Sequence, residues 1–135
     1  MEIEKDEYTY RFIKARLSLY GELTEEVIKK QTYATVGTDI IVMALGYNSY
    51  PPGFPCRDFH VAYDTFVTAS FIDKDNWIMW WDRDEKYFRM EYKDPISHQT
   101  AFVTGATTMP LILCQAIMYS ALRYVKEWED EHGTA

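Results

Sequence analysis

A chain of 135 residues has room for one hydrophobic core and not for two separate ones. With 47% hydrophobic and 26% charged residues it falls outside the class of disordered chains, and a formal net charge of −7 argues against broad attraction to phosphate backbones. Two cysteines, Cys56 and Cys114, are too few for a disulfide framework or a four-ligand zinc set, which fits a reducing cytoplasm.

From Asp6 to Tyr20 the residues Phe12, Ile13, Leu17 and Tyr20 recur at helical spacing, with acids at the start and Gly21 as a stop. This predicts an N-terminal helix within residues 1–22. Thr24 is placed to cap a second helix, with Glu25 and Glu26 in its first turn and Ile28 positioned to staple onto Leu23. Asp39 to Leu45 resumes helical periodicity after the break at Thr35-Val36-Gly37-Thr38, and Gly46 stops it. Residues 47–56 carry three prolines and a glycine and are predicted to form an extended connection.

Phe59, Ala62, Tyr63, Phe66 and Val67 form a helical stripe opposite Arg57, Asp64 and Thr65, so a further helix is expected from about Arg57 to Ser70. Two aromatic-rich runs, Trp77 to Trp81 and Tyr87 to Tyr92, flank the polar Asp82-Arg83-Asp84-Glu85 and predict a β-hairpin. Along the second run Phe88, Met90 and Tyr92 alternate with Tyr87, Arg89 and Glu91. Along the first, Trp77, Met79 and Trp81 oppose Ile78 and Trp80, so either helices cover both faces or an aromatic patch is exposed. A third strand is expected from about Thr100 to Thr104.

The last element is a long helix. Thr107 and Thr108 are its cap candidates, Pro110 sits in the first turn, and the helix is expected to reach about Trp128. Its first half, Leu111 to Met118, is apolar nearly all round. Its second half narrows to Leu122, Val125 and Trp128. Acids at Glu127, Glu129, Asp130 and Glu131 oppose the dipole and predict a mobile tail over residues 130–135. The fold class is therefore α+β: one domain over residues 1–135, with about three antiparallel strands packed by helices and a long C-terminal helix.

Several residue groups carry side chains of the types that do chemistry. Asp73, Asp75, Asn76 and Asp84 echo a calcium loop, but Trp77 and Ile78 occupy positions where a ligand and the sharp-turn glycine belong. Cys56, Asp58 and His60 hold the types needed for a thiol nucleophile and its base, yet a helix beginning near Arg57 makes Cys56 a cap and turns His60 outward. Cys114 is expected as a small buried hydrophobe, and His98 and His132 have no companions at metal-ligand spacing. No catalytic residue, metal ligand or cofactor is assigned.

Two candidate sites remain. Trp77, Met79, Trp80, Trp81, Tyr87 and Arg89 carry the residue types that anchor protein interfaces, with core packing as the competing role. Gly105, Thr107 and Thr108 precede a helix and could hold an anion on backbone N–H groups, although the second glycine and the lysine of a phosphate loop are missing.

Three segments resemble the phage ABA-sandwich domain, a family of small proteins of tailed phages and prophages. They are Asp39-Ile40-Ile41-Val42-Met43-Ala44-Leu45-Gly46-Tyr47, then Pro55-Cys56-Arg57-Asp58 leading to Ala62, and Ala106-Thr107-Thr108-Met109-Pro110-Leu111-Ile112-Leu113-Cys114-Gln115-Ala116. Cys56 stands where the family has a serine, and the N-terminal helix lies outside the resemblance. The resemblance implies a small sheet between helical layers and no catalytic residue. The resulting expectation is a cytoplasmic accessory protein of a phage or prophage. It would bind a host or phage protein, a host defence component included, with no direct nucleic-acid or membrane binding and with a homo-oligomer left open. The alternative is a small-molecule or nucleotide binder using the Gly105 to Pro110 helix start.

Overall fold

The computed structural model of the chain describes residues 5–18, 24–30 and 58–133. Helix α1 (Glu7–Ser18) starts where the Asp6 carboxylate accepts a hydrogen bond from Thr9 N at 2.8 Å. Helix α2 (Glu25–Lys30) starts at Thr24, whose Oγ1 accepts from Val27 N at 3.2 Å. Helix α3 (Phe59–Thr68) is capped by Asp58, which accepts from His60 N and Val61 N at 3.0 and 3.4 Å. A single 3₁₀ turn (Lys74–Asn76) leads into β1 (Trp77–Asp82), β2 (Tyr87–Lys93) and β3 (Thr100–Ala106). Helix α4 (Met109–His132) closes the chain, with Thr108 as its cap and Pro110 in its first turn.

The strands form one antiparallel sheet in the order β1-β2-β3. The register sets Trp77, Met79 and Trp81 opposite Tyr92, Met90 and Phe88, and these in turn opposite Phe102, Thr104 and Ala106. All nine side chains share one face, because directly opposed residues of an antiparallel pair point the same way. The helices meet the sheet through that face. Lys29 of α2 lies 5.5 Å from the Phe102 ring, Phe66 of α3 meets Trp77 edge-on, and Tyr119 of α4 stacks on Phe102 at 4.1 Å. Among the described residues the expected sandwich thus has one helical layer. Asp39 to Leu45 and residues 47–56 lie outside the described residues.

Trp77 is the hub of this core. Its ring lies 5.1–6.4 Å from those of Tyr92, Tyr119, Phe102 and Phe66, while its Nε1 is buried with no hydrogen-bond partner among the described residues. Its contribution therefore comes from apolar burial and ring contacts alone. Cys114 is buried, as its apolar surroundings predict, and the neighbouring Gln115 accepts a hydrogen bond from the Thr104 hydroxyl inside the core.

Two helices differ from their sequence patterns. In α3 the buried residues are Ala62, Thr65 and Phe66, whereas Phe59 and Tyr63 are exposed and stack on each other at 5.5 Å. Thr65, expected on the outer side, can be buried because its hydroxyl donates to Val61 O at 2.8 Å and needs no water. Helix α4 runs a turn beyond Trp128, to His132, despite its C-terminal acids. Cations from the start of the chain offset the unfavourable dipole: Lys5 pairs with Glu127 and Glu131 at 3.2 Å each, and Lys14 pairs with Glu129. Tyr10 is buried against Trp128, stacked at 5.3 Å, and donates its phenolic hydrogen to Glu129 at 2.7 Å. The C-terminal half of α4 is thus the seat of α1.

Candidate interaction surface

Strand β1 carries the longest run of exposed large apolar residues among the described residues. Ile78, Met79, Trp80 and Trp81 are consecutive and are 49, 38, 39 and 49% exposed, whereas Trp77 is 9% exposed. On one face the helical layer covers the start of the strand and leaves its end open, and on the other face no helix among the described residues packs over it, so residues of both faces reach solvent. Scattered exposed apolar residues are ordinary, but here one strand exposes a pair on each face, Ile78 and Trp80 on one and Met79 and Trp81 on the other, and clusters of this kind mark binding sites.

The open face of the sheet is organised. Arg89 lies over the Tyr87 ring at 4.7 Å, donates from Nη2 to the Tyr87 hydroxyl at 2.6 Å, and donates from Nε to Asp82 Oδ2 at 2.8 Å. Asp82 also accepts from Asp84 N and Glu85 N at 3.1 Å each, which fastens the hairpin turn. The Arg89 hydrogen bond, helped by Glu85 N, holds the Asp82 carboxyl below its usual range. Lys86 completes the turn with a φ of 58°, the left-handed region. Arg89 is therefore held in place beside Ile78 and Trp80, and it costs a partner little to immobilise it further.

The five strand residues Trp77, Met79, Trp81, Tyr87 and Arg89 do not form one surface. Trp77 belongs to the core. Met79 and Trp81 lie on the helix-facing side beyond the helices, with Trp81 edge-on to Phe88 at 4.9 Å. Tyr87 and Arg89 lie on the opposite face with Ile78 and Trp80. Ile78 was not singled out by the sequence; its place in the alternation with Trp80 is the signal that could have found it.

The helix-start residues do not converge either. Gly105 is in β3, and a Cβ there would come within 2.1 Å of Tyr87 Cε2, so the glycine makes room for a ring. Thr108 Oγ1 is used as the cap of α4, accepting from Leu111 N at 3.4 Å, and Thr107 is exposed. Ordinary packing accounts for Gly105 and capping for Thr108.

Other sequence candidates resolve into structural roles. Asp73 is buried and accepts from the Tyr92 hydroxyl at 2.9 Å and from Asn76, while Asp84 sits past the other end of β1, about 20 Å away along a six-residue strand. Burial, and then the bond to Asp73, raises the Tyr92 pKa well above the usual phenol range, so this donor stays protonated. No group of His, Cys, Asp or Glu among the described residues is arranged to hold a metal ion. Cys56 lies outside the described residues, Asp58 is the cap of α3, and His60 is exposed.

A groove of about 590 Å³ runs between α4 and the β2–β3 connection, with Arg123 and Tyr92 among its lining residues. Arg123 lies 4.8 Å from the Tyr92 ring and is held by Asp94 and Glu127 at 2.6 Å each, so its charge is already met. No helix among the described residues is long and apolar enough to cross a membrane. Comparisons with protein-family models, with curated proteins and with solved structures return no match to this chain.

Proposed function

We propose that this chain is a non-enzymatic protein-binding domain that engages its partner through the open end and open face of the hairpin: Ile78, Met79, Trp80 and Trp81, with Tyr87 and Arg89 beside them. The observation that carries the reading is the run of four consecutive large apolar side chains, each more than a third exposed, next to a pre-positioned arginine. Trp, Tyr and Arg are the residues that most often dominate binding energy, and a fixed side chain loses little entropy on binding. The net charge of −7 favours a partner with basic character over nucleic acid. The setting we propose, an accessory protein of a phage or prophage acting on a host or phage protein, a defence component included, rests on the resemblance of the three segments.

The test is a photo-crosslinking amino acid placed at Trp80 and, as a control, at the exposed Lys74, in cells of the native host. The reading expects a discrete adduct with a foreign protein from position 80 and none from position 74. Equal or absent labelling at the two positions would overturn it.

A further inference from the structure

We infer that β1 also pairs with β1 of a second copy of this chain, antiparallel and about a two-fold axis through Met79, to give a continuous six-stranded sheet. Pairing uses the backbone edge rather than the open face, and it holds whether or not a foreign partner exists.

Among the described residues β1 is an outer strand of the sheet. Exposed edges are normally protected by a lysine, a proline or a bulge, because their unpaired N–H and C=O groups are a template for another strand. β1 has no proline and no charge before its last residue, Asp82, and among the described residues the one irregularity in strand pairing lies at Tyr92/Lys93, between β2 and β3. The unguarded edge is also the one with exposed apolar side chains on both faces.

The identity of the second strand follows from register and charge. A two-fold axis normal to the sheet keeps each face continuous, so opposed residues must have the same parity. An axis through Met79 sets Met79 against Met79, Ile78 against Trp80, and Trp77 against Trp81, all apolar pairs. An axis through Trp80 instead sets Ile78 against Asp82, whose carboxylate is engaged by Arg89. In the Met79 register the strand ends are also complementary: the end preceded by Asp75 meets the end followed by Arg83. Both residues are exposed, and neither makes an ion pair among the described residues, so two opposite charges left idle in one copy answer each other in two. The paired copies place Ile78 and Trp80 of each chain side by side and double the open apolar face.

The experiment uses the full chain carrying Cys56→Ser, with cysteine introduced at one β1 position at a time. Directly opposed Cα atoms of an antiparallel pair are about 4.5–5.5 Å apart, inside the ~4.4–6.8 Å range of a disulfide. Met79→Cys is therefore expected to give a covalent dimer under mild oxidation, at twice the 15.9 kDa of one chain, while Ile78→Cys stays largely uncrosslinked. In sedimentation velocity the wild-type mass should rise towards two chains with concentration. Asp75→Arg should return it to one chain, and Asp75→Arg with Arg83→Asp together should restore the dimer. Crosslinking at Trp80→Cys in preference to Met79→Cys overturns the register. A single-chain mass at every concentration, with Met79→Cys no better linked than Ile78→Cys, overturns the pairing. Labelling of a foreign protein from position 80 would survive that second outcome, so the two readings fail separately.

Discussion

The two faces of one short strand differ more than their composition does. On the covered face Trp77 is enclosed by four aromatic rings; three positions on, Trp80 stands in solvent beside an arginine held by Asp82. The contrast is set by where α3 and α4 cross the sheet. Residue type alone does not separate core from surface in a chain with so many aromatics.

The sharpest way to break this comparison is truncation on each side. Trp77→Ala should cost about 3–5 kcal/mol, the usual range for deleting a buried large aromatic, whereas Trp80→Ala should stay within about 0.5 kcal/mol of the parent, as surface substitutions do. Urea unfolding of the two variants measures this, and equal losses would mean that the open face is buried as well. Next in size is Gly105→Ala. Its new methyl meets the Tyr87 ring, and overpacking of this kind costs about 1–3 kcal/mol. Tyr87→Ala combined with Gly105→Ala should cost less than the sum of the two single changes, because the smaller side chain removes the clash.

Smaller effects test the layer that does the covering. Tyr10→Phe removes the hydrogen bond to Glu129 but keeps the stack on Trp128, so about 0.5–1.5 kcal/mol is expected from thermal unfolding. The smallest effect is a pH dependence at Asp94. Hydrogen bonds from Ser97 N, Arg123 and Ile96 N draw its pKa from the ordinary 3.8 down to about 2. The unfolded chain therefore takes up the proton first as pH falls, and this contribution, fully present above pH 4, is lost between about pH 4 and pH 2. The stability gap between wild type and Asp94→Asn should narrow through that window; a gap that stays constant with pH would assign the loss to another cause.

Much of the fold was legible from local pattern. The hairpin follows from alternation around Asp82-Arg83-Asp84-Glu85, and the start of α4 from Thr108 and Pro110, because strand period and cap chemistry are encoded by near neighbours. The rest depended on distant parts of the chain. Tyr10 lies three residues before Ile13 and seven before Leu17, on their stripe, but its hydroxyl partner Glu129 and its ring partner Trp128 are far along the chain, and Thr65 reads as polar until its hydroxyl is seen to bond within its own helix. At the candidate surface, alternation showed which residues of β1 share a side. It could not show where the helices stop, and that is what separates Trp77 from Met79 and Trp81.

The length of α4 has a further consequence. Its 24 residues span about 36 Å, whereas a seven-residue strand covers about 23 Å, so the helix overhangs the sheet. α1 is fastened near the overhanging end by the buried Tyr10, Ile13 and Leu17, by the stack of Tyr10 on Trp128 and by Lys14 on Glu129, with Lys5 just before it on Glu131. The two segments depend on each other for this docking. In native-state hydrogen exchange the amides of α1 and the last two turns of α4 should form one low-energy cooperative unit, losing protection together, while the strand amides around Met90 and Phe102 exchange only on global unfolding.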